Sequence, residues 1–298
     1  VSNAPVYEKN AKEPEYVEEL KNFDLSKIKE PKDYSEALIK ILAHPSIASK
    51  KWLWGHGDPR TAKNVLVGPG EDAGVYKIPG TSKAIALTIN GNGIYVYLNP
   101  YRGGMISVAE GARNLVCSGA KPLALTDGLN FGNPNNPEIF WQFKNCVQGM
   151  SEASRKLDIP VISGNVSFNN ENPKGAVDPT PVVGIVGLVK DIKHVTTTGF
   201  KSEGDLIVLL GKNKDELGGS HYLKIIHNLK SGDAPEVDLE LELSVQKTCL
   251  EAIESGIINS AHDISEGGLA VALSECVIYG KKGTRGAAVS IPKAHNTR

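Results

Sequence analysis

LALTDGLNFGNP (residues 123–134) and IPVISGNVS (residues 159–167) decide how this chain is read. Each opens on a short apolar run that suits a strand, a buried one for LALT, and closes on Gly, Asn, Asp or Ser. Between them, Asn136 is placed to cap a helix and Pro137 suits its first turn. Ile139, Phe143, Val147 and Met150 then share one helical face, in a helix expected to end near Leu157. Strand, helix, strand in that order is an α/β unit. In open sheets of this class, ligands gather at the carboxyl ends of the strands, where both polar tails lie.

The tails have two readings. Glycine lets a backbone approach phosphate, exposed N–H groups form anion nests, and Asp or Asn oxygens suit a hard cation such as Mg²⁺. Alternatively, Asp127 and Asn130 make turns and Asn165 caps a strand end. GPGEDAG (68–74), with Glu71 and Asp72, either holds metal or turns into a strand. In SAHDISEGGL (260–269), His262 and Asp263 are either a ligand pair or a cap beside a satisfied histidine.

Working outward, KAIALTI (83–89) and IYVYL (94–98) read as strands, and the intervening NGNG as a hairpin turn rather than a ligand loop. A helix is expected from Gly103 to Ser118, with Gly119 as its left-handed cap. VVGIVGLV (182–189) is a further strand, closing an α/β domain near Val189. Beyond it, DLIVLLG (205–211) reads as a strand and HYLKIIHNL (221–229) as a helix. A second helix spans Leu241 to Ser255, stopped by Gly256, and a third carries Leu269, Ala272, Leu273 and Cys276. The Lys-, Glu- and Pro-rich first 50 residues show one helix, near Tyr34 to Leu42. The chain opens on Val1, and AAVSIPKAHNTR stops where a strand begins, so the expectation is the interior of a longer protein.

Of the 298 residues, 40% are hydrophobic and 22% charged, the composition of an ordinary globular protein with room for two cores. A net charge of −1 gives no electrostatic case for nucleic acid or an anionic membrane as partner. No apolar run approaches the roughly 20 residues of a membrane span, and the N-terminus is not a signal peptide. The four cysteines form no C-x-x-C pair, which argues against a zinc or disulfide framework, and cytoplasm is the expected location. The P-loop, dinucleotide, nucleophile-elbow and H-E-x-x-H signatures are absent.

Taken in order, GPGEDA, ARNLVCSGAKPLALTDGLNFGNP, EIFW, SGNVS and HDISEGGLAVAL resemble the second half of the phosphoribosylformylglycinamidine synthase family, within the aminoimidazole ribonucleotide (AIR) synthetase-like superfamily. The likeness runs from about Trp52 to Cys276. It implies an α/β N-terminal domain that pairs through its sheet with a counterpart, followed by part of an α+β C-terminal domain. The implied division is 1–50 as a connecting segment from the preceding half, 51–190 as the second copy of the N-terminal domain, and 191–298 as an incomplete second copy of the C-terminal domain. The family activity is an ATP-dependent carbon–nitrogen ligation. ATP activates the amide oxygen of formylglycinamide ribonucleotide, and ammonia from a glutaminase subunit or domain displaces the phosphate, with Mg²⁺ as cofactor.

By motif match, the resemblance implies that Asp127 and Gly164 contact ATP, Asn165 holds Mg²⁺ and Ser167 contacts the ribonucleotide. It implies an auxiliary nucleotide or metal role for Asp72 and Asp263. Arg113 either neutralises phosphate or lies on a solvated helix face. Asn90 and Ile94 depart from the family pattern, which weakens a phosphate or metal role for their loop. The family's catalytic histidines belong to the first half, so no catalytic residue is expected here and the chain alone is expected to be inactive. The alternatives are a non-catalytic, nucleotide-binding structural half and another enzyme of the superfamily.

Overall fold

The computed structural model describes residues 8–55, 63–280 and 285–290. In chain order it forms α1 (Glu15–Lys21), α2 (Tyr34–Ala43), α3 (Lys51–Trp54), β1 (Val65–Val67), β2 (Gly74–Lys77), β3 (Ala84–Asn90), α4 (Gly93–Leu98) and α5 (Pro100–Cys117). Then follow β4 (Lys121–Asn130), α6 (Pro137–Lys156), β5 (Val161–Ser167), a small hairpin of β6 (Glu171–Asn172) and β7 (Gly175–Ala176), and β8 (Thr180–Val189). The last elements are α7 (His221–His227), α8 (Leu239–Glu254) and α9 (Gly268–Ile278).

One six-stranded sheet, ordered β1-β2-β3-β8-β4-β5, organises the fold. Its pairs are antiparallel except β4 with β5, which the α6 crossover makes parallel. Alternation along β3 sends Ala84, Ala86 and Thr88 inward and leaves Ile85, Leu87 and Ile89 exposed. Inward side chains of β8 and β4, including Val183, Ile185, Leu125 and Leu129, pack with Val108, Ala112 and Leu115 of α5. The sheet therefore has one face covered by helices and one open apolar face. No described helix is long and apolar enough to cross a membrane.

The α/β unit forms as the sequence predicts. The Asn136 side chain accepts the Glu138 N–H, and Pro137 opens α6. Gly119 takes positive φ after α5, and Gly256 does so after α8. Four expectations are corrected. IYVYL is helical, not a strand, because the Asn92 side chain accepts the N–H groups of both Ile94 and Tyr95 and so starts a helix. NGNG is then no hairpin turn, and Gly91 packs so near β8 that a methyl there would lie 2.3 Å from the Pro181 carbonyl. DLIVLLG remains unpaired, with Leu206 90% exposed, since no described segment offers it a ladder. The strand expected near the end is not formed at 285–290, and the rest of that stretch lies outside the described residues. From residue 202 onward the described residues form helices and loops without strands.

Candidate nucleotide and substrate site

The two polar tails begin inside the strands, not after them. Asp127 to Asn130 complete β4 and Gly164 to Ser167 complete β5, so Asp127 and Asn130 are strand residues and make no turn there. The parallel register sets Asp127 opposite Gly164, Gly128 opposite Asn165, and Asn130 opposite Ser167. The four residues that the resemblance assigns to ATP, Mg²⁺ and the ribonucleotide thus fall within two adjacent strand ends.

Strand alternation divides them by face. Asp127 pairs with inward Val183 and shares the helix side with Gly164, whereas Asn165 and Ser167 share the open side with Gly128 and Asn130. Because β5 is the last strand of the sheet, a ligand lying over its edge can reach both faces. The edge also presents backbone N–H groups of the kind that bind anions. Gly164 matters here, since a methyl on it would lie 2.9 Å from Asp127 Oδ1. Burial raises the Asp127 pKa from its ordinary value. Asn130 instead braces the strand, its amide donating to the carbonyls of Gly128 and Thr180.

Asp72 and Asp263 lie in a second, separate cluster where the loop between β1 and β2 meets α5, α8 and α9. His262 donates through Nδ1 to Asp72 Oδ1 at 2.6 Å and through Nε2 to Glu275 Oε2 at 3.0 Å. Two carboxylate acceptors require both ring nitrogens to carry protons, so His262 is a cation. Burial pulls its pKa down, but the hydrogen bonds to Asp72 and Glu275 prevail and raise it to about 10. Burial raises Asp72 to about 6 against the opposing pull of His262. Of the two readings for His262, the satisfied histidine is what forms.

Arg113 joins the same cluster, its Nε 3.0 Å from Asp263 Oδ2 and its Nη1 2.9 Å from Glu242 Oε2. It is neither a solvated residue nor one facing the strand ends. Burial opposes its charge, and Asp263 with Glu242 outweighs that cost. Nearby Glu110 is buried, accepts the Asn90 amide at 2.9 Å, and has its pKa pushed upward by burial and by Glu266. The departure Asn90 is thus engaged with Glu110. Glu110, Glu242 and Glu275 escaped notice in the sequence. Only Glu110 had a signal, an acid among the small and apolar residues of α5, three positions before Arg113. Among the described residues, no group of three or more His, Cys, Asp or Glu side chains is arranged to hold a metal ion.

Comparison with known proteins identifies the family of the chain. The family described as AIR synthase related protein, N-terminal domain, matches residues 70–189, and the corresponding C-terminal domain matches 202–294. Phosphoribosylformylglycinamidine synthase subunit PurL of Alkaliphilus metalliredigens is 51% identical over 284 residues, 95% of this chain and 38% of that protein. The protein of the same name from Moorella thermoacetica is 50% identical over 279 residues, 94% of this chain and 38% of that one. This chain therefore spans well under half the length of the curated relatives it matches. A solved structure described as T. maritima PurL complexed with ATP is 29% identical with a TM-score of 0.41, covering 45% of this chain and 22% of that one.

Proposed function

The chain belongs to the AIR synthase related family, and from that premise we propose that it is the second half of a phosphoribosylformylglycinamidine synthase and contributes part of its ATP and substrate site at the β4–β5 edge. The observation that carries this reading is identity at about half of all positions, along nearly the whole chain, to curated proteins of that name. In this reading ATP phosphorylates the amide oxygen of formylglycinamide ribonucleotide, ammonia attacks the activated carbon, and phosphate leaves. Asp127 and Gly164 sit on the ATP side, and Ser167 faces the ribonucleotide from the open side. Residues 51–190 and 191–298 are the second copies of the two family domains, and 1–50 connects them to the preceding half.

Mg²⁺ fits the strand ends by donor chemistry. The Asn165 amide oxygen, the donor that would hold the ion, makes no hydrogen bond among the described residues, and oxygen donors that share a cation with phosphates are what Mg²⁺ takes. The ion's contribution is to neutralise phosphate charge during transfer. The chain's own part is to hold a carboxylate at the edge and to keep side chains off the backbone at Gly164. The open face with Ile85, Leu87 and Ile89 supports packing against the sheet of the counterpart half. Ammonia comes from a glutaminase subunit or domain. Cytoplasm suits the free thiols of the cysteines.

A structural role is the second reading, for the other cluster alone. It is supported there because Asp72 and Asp263 already have internal cations in His262 and Arg113. Ammonia-dependent ATP turnover tests the main reading. The complete protein should release phosphate only when the ribonucleotide and ammonia are both supplied. Turnover indifferent to the ribonucleotide would refute it.

A further inference from the structure

One side chain ties the end of β5 to the end of β4. Asn170 Nδ2 donates to the Ser167 carbonyl at 2.8 Å and to the Phe131 carbonyl at 3.0 Å. The Asn170 amide oxygen also lies 3.4 Å from the Ser167 hydroxyl. Its own backbone is fixed, since the Asn170 N–H donates to Phe131 and its carbonyl accepts from Val177. The next residue, Glu171, accepts the Asn133 N–H at 2.7 Å. Gly132 makes room for this hairpin, because a methyl there would sit 2.7 Å from the Ala176 side chain. Beneath, Phe131 is wholly buried and meets Phe143 edge-on, and Phe143 meets Phe168 likewise. Both strand ends rest on one aromatic cluster, and the Asn170 amide spaces them at the surface.

We infer that Asn170 is a positioning residue, holding the Ser167 hydroxyl and the loop leading to Asn133 in the arrangement that receives the ribonucleotide. The inference rests on the proposed role of Ser167. The chemistry requires an amide: two carbonyls need N–H donors, and an Asp of the same shape would set acceptors against acceptors.

The test is steady-state kinetics on the complete synthetase subunit for Ser167→Ala, Asn170→Asp and the double variant, with thermal unfolding of each. Ser167→Ala should raise KM for the ribonucleotide on the order of tenfold and leave KM for ATP unchanged. Asn170→Asp should raise the same KM about fivefold, with kcat within about twofold, and add nothing in the Ser167→Ala background. If Ser167→Ala leaves the ribonucleotide KM unchanged, the role of Ser167 fails and Asn170 has nothing to position. If Ser167→Ala acts as expected but Asn170→Asp is silent, or its effect adds in full in the double variant, the inference alone is overturned. Should Asn170→Asp not fold, Asn170→Ala removes the donor without adding charge and is held to the same outcomes.

Discussion

Gly164 stands opposite Asp127 in the β4–β5 ladder, so near that a methyl on Gly164 would lie 2.9 Å from Asp127 Oδ1. The atom in the way is the tip of a side chain, which can rotate aside. Gly164→Ala should therefore fold with little loss of stability yet turn the Asp127 carboxylate from its place. Thermal unfolding should change by only a few degrees, while affinity for Mg²⁺-ATP in the complete protein falls severalfold. Unaltered affinity would separate Gly164 from the nucleotide.

Asp127→Ala removes the carboxylate outright. Its pKa is already raised by burial, so a bound cation nearby would favour the ionised form. Affinity for Mg²⁺-ATP should fall more than tenfold, about 1.4 kcal/mol, in calorimetric titration of the complete protein. An affinity within twofold of wild type would remove Asp127 from the site.

Arg113 is engaged by two carboxylates of the chain itself. Removing it leaves Asp263, whose side chain is fully buried, and Glu242 without their cation. Arg113→Ala should cost about 3–5 kcal/mol in denaturant unfolding, the range for breaking a buried ion pair by deleting one partner. A cost below about 1 kcal/mol, the range of exposed pairs, would contradict the buried network.

His262 gives that network a pH dependence at the alkaline end. With its folded pKa raised to about 10, above the ordinary 6.5, its contribution is complete below pH 6.5 and is lost as pH rises toward 10. Asp72 and Glu275 face the ring, and Asp72, raised to about 6 by burial, is mainly ionised from pH 7 upward. The unfolding temperature should fall between pH 7 and pH 10, and His262→Gln should flatten that fall. An equal fall in the variant would place the titrating group elsewhere.

The α/β unit was legible because its signals are local. Asn136 with Pro137 marks where α6 begins, and the apolar runs before Asp127 and Gly164 mark β4 and β5. IYVYL misled because its composition favours a strand, while the deciding interaction is a single cap from Asn92. DLIVLLG carries a strand pattern, but a strand exists only where a partner ladder does. Within the site, the pairing of Asp127 with Gly164 needs the parallel register, and the separation of Asn165 from Asp127 by face needs the strand to continue through the tail. His262 and Asp72 lie 190 positions apart, and nothing in either neighbourhood announces the other. Asn170 was hidden for a similar reason, its bond to the Phe131 carbonyl crossing 39 positions.

The most direct measurement is calorimetric titration of this chain with Mg²⁺-ATP, alone and with the preceding half of the protein added, followed by assay of ammonia-dependent ATP turnover in the mixture. Binding and turnover that appear only when both halves are present are the predicted result. Silence in the mixture would contradict the account.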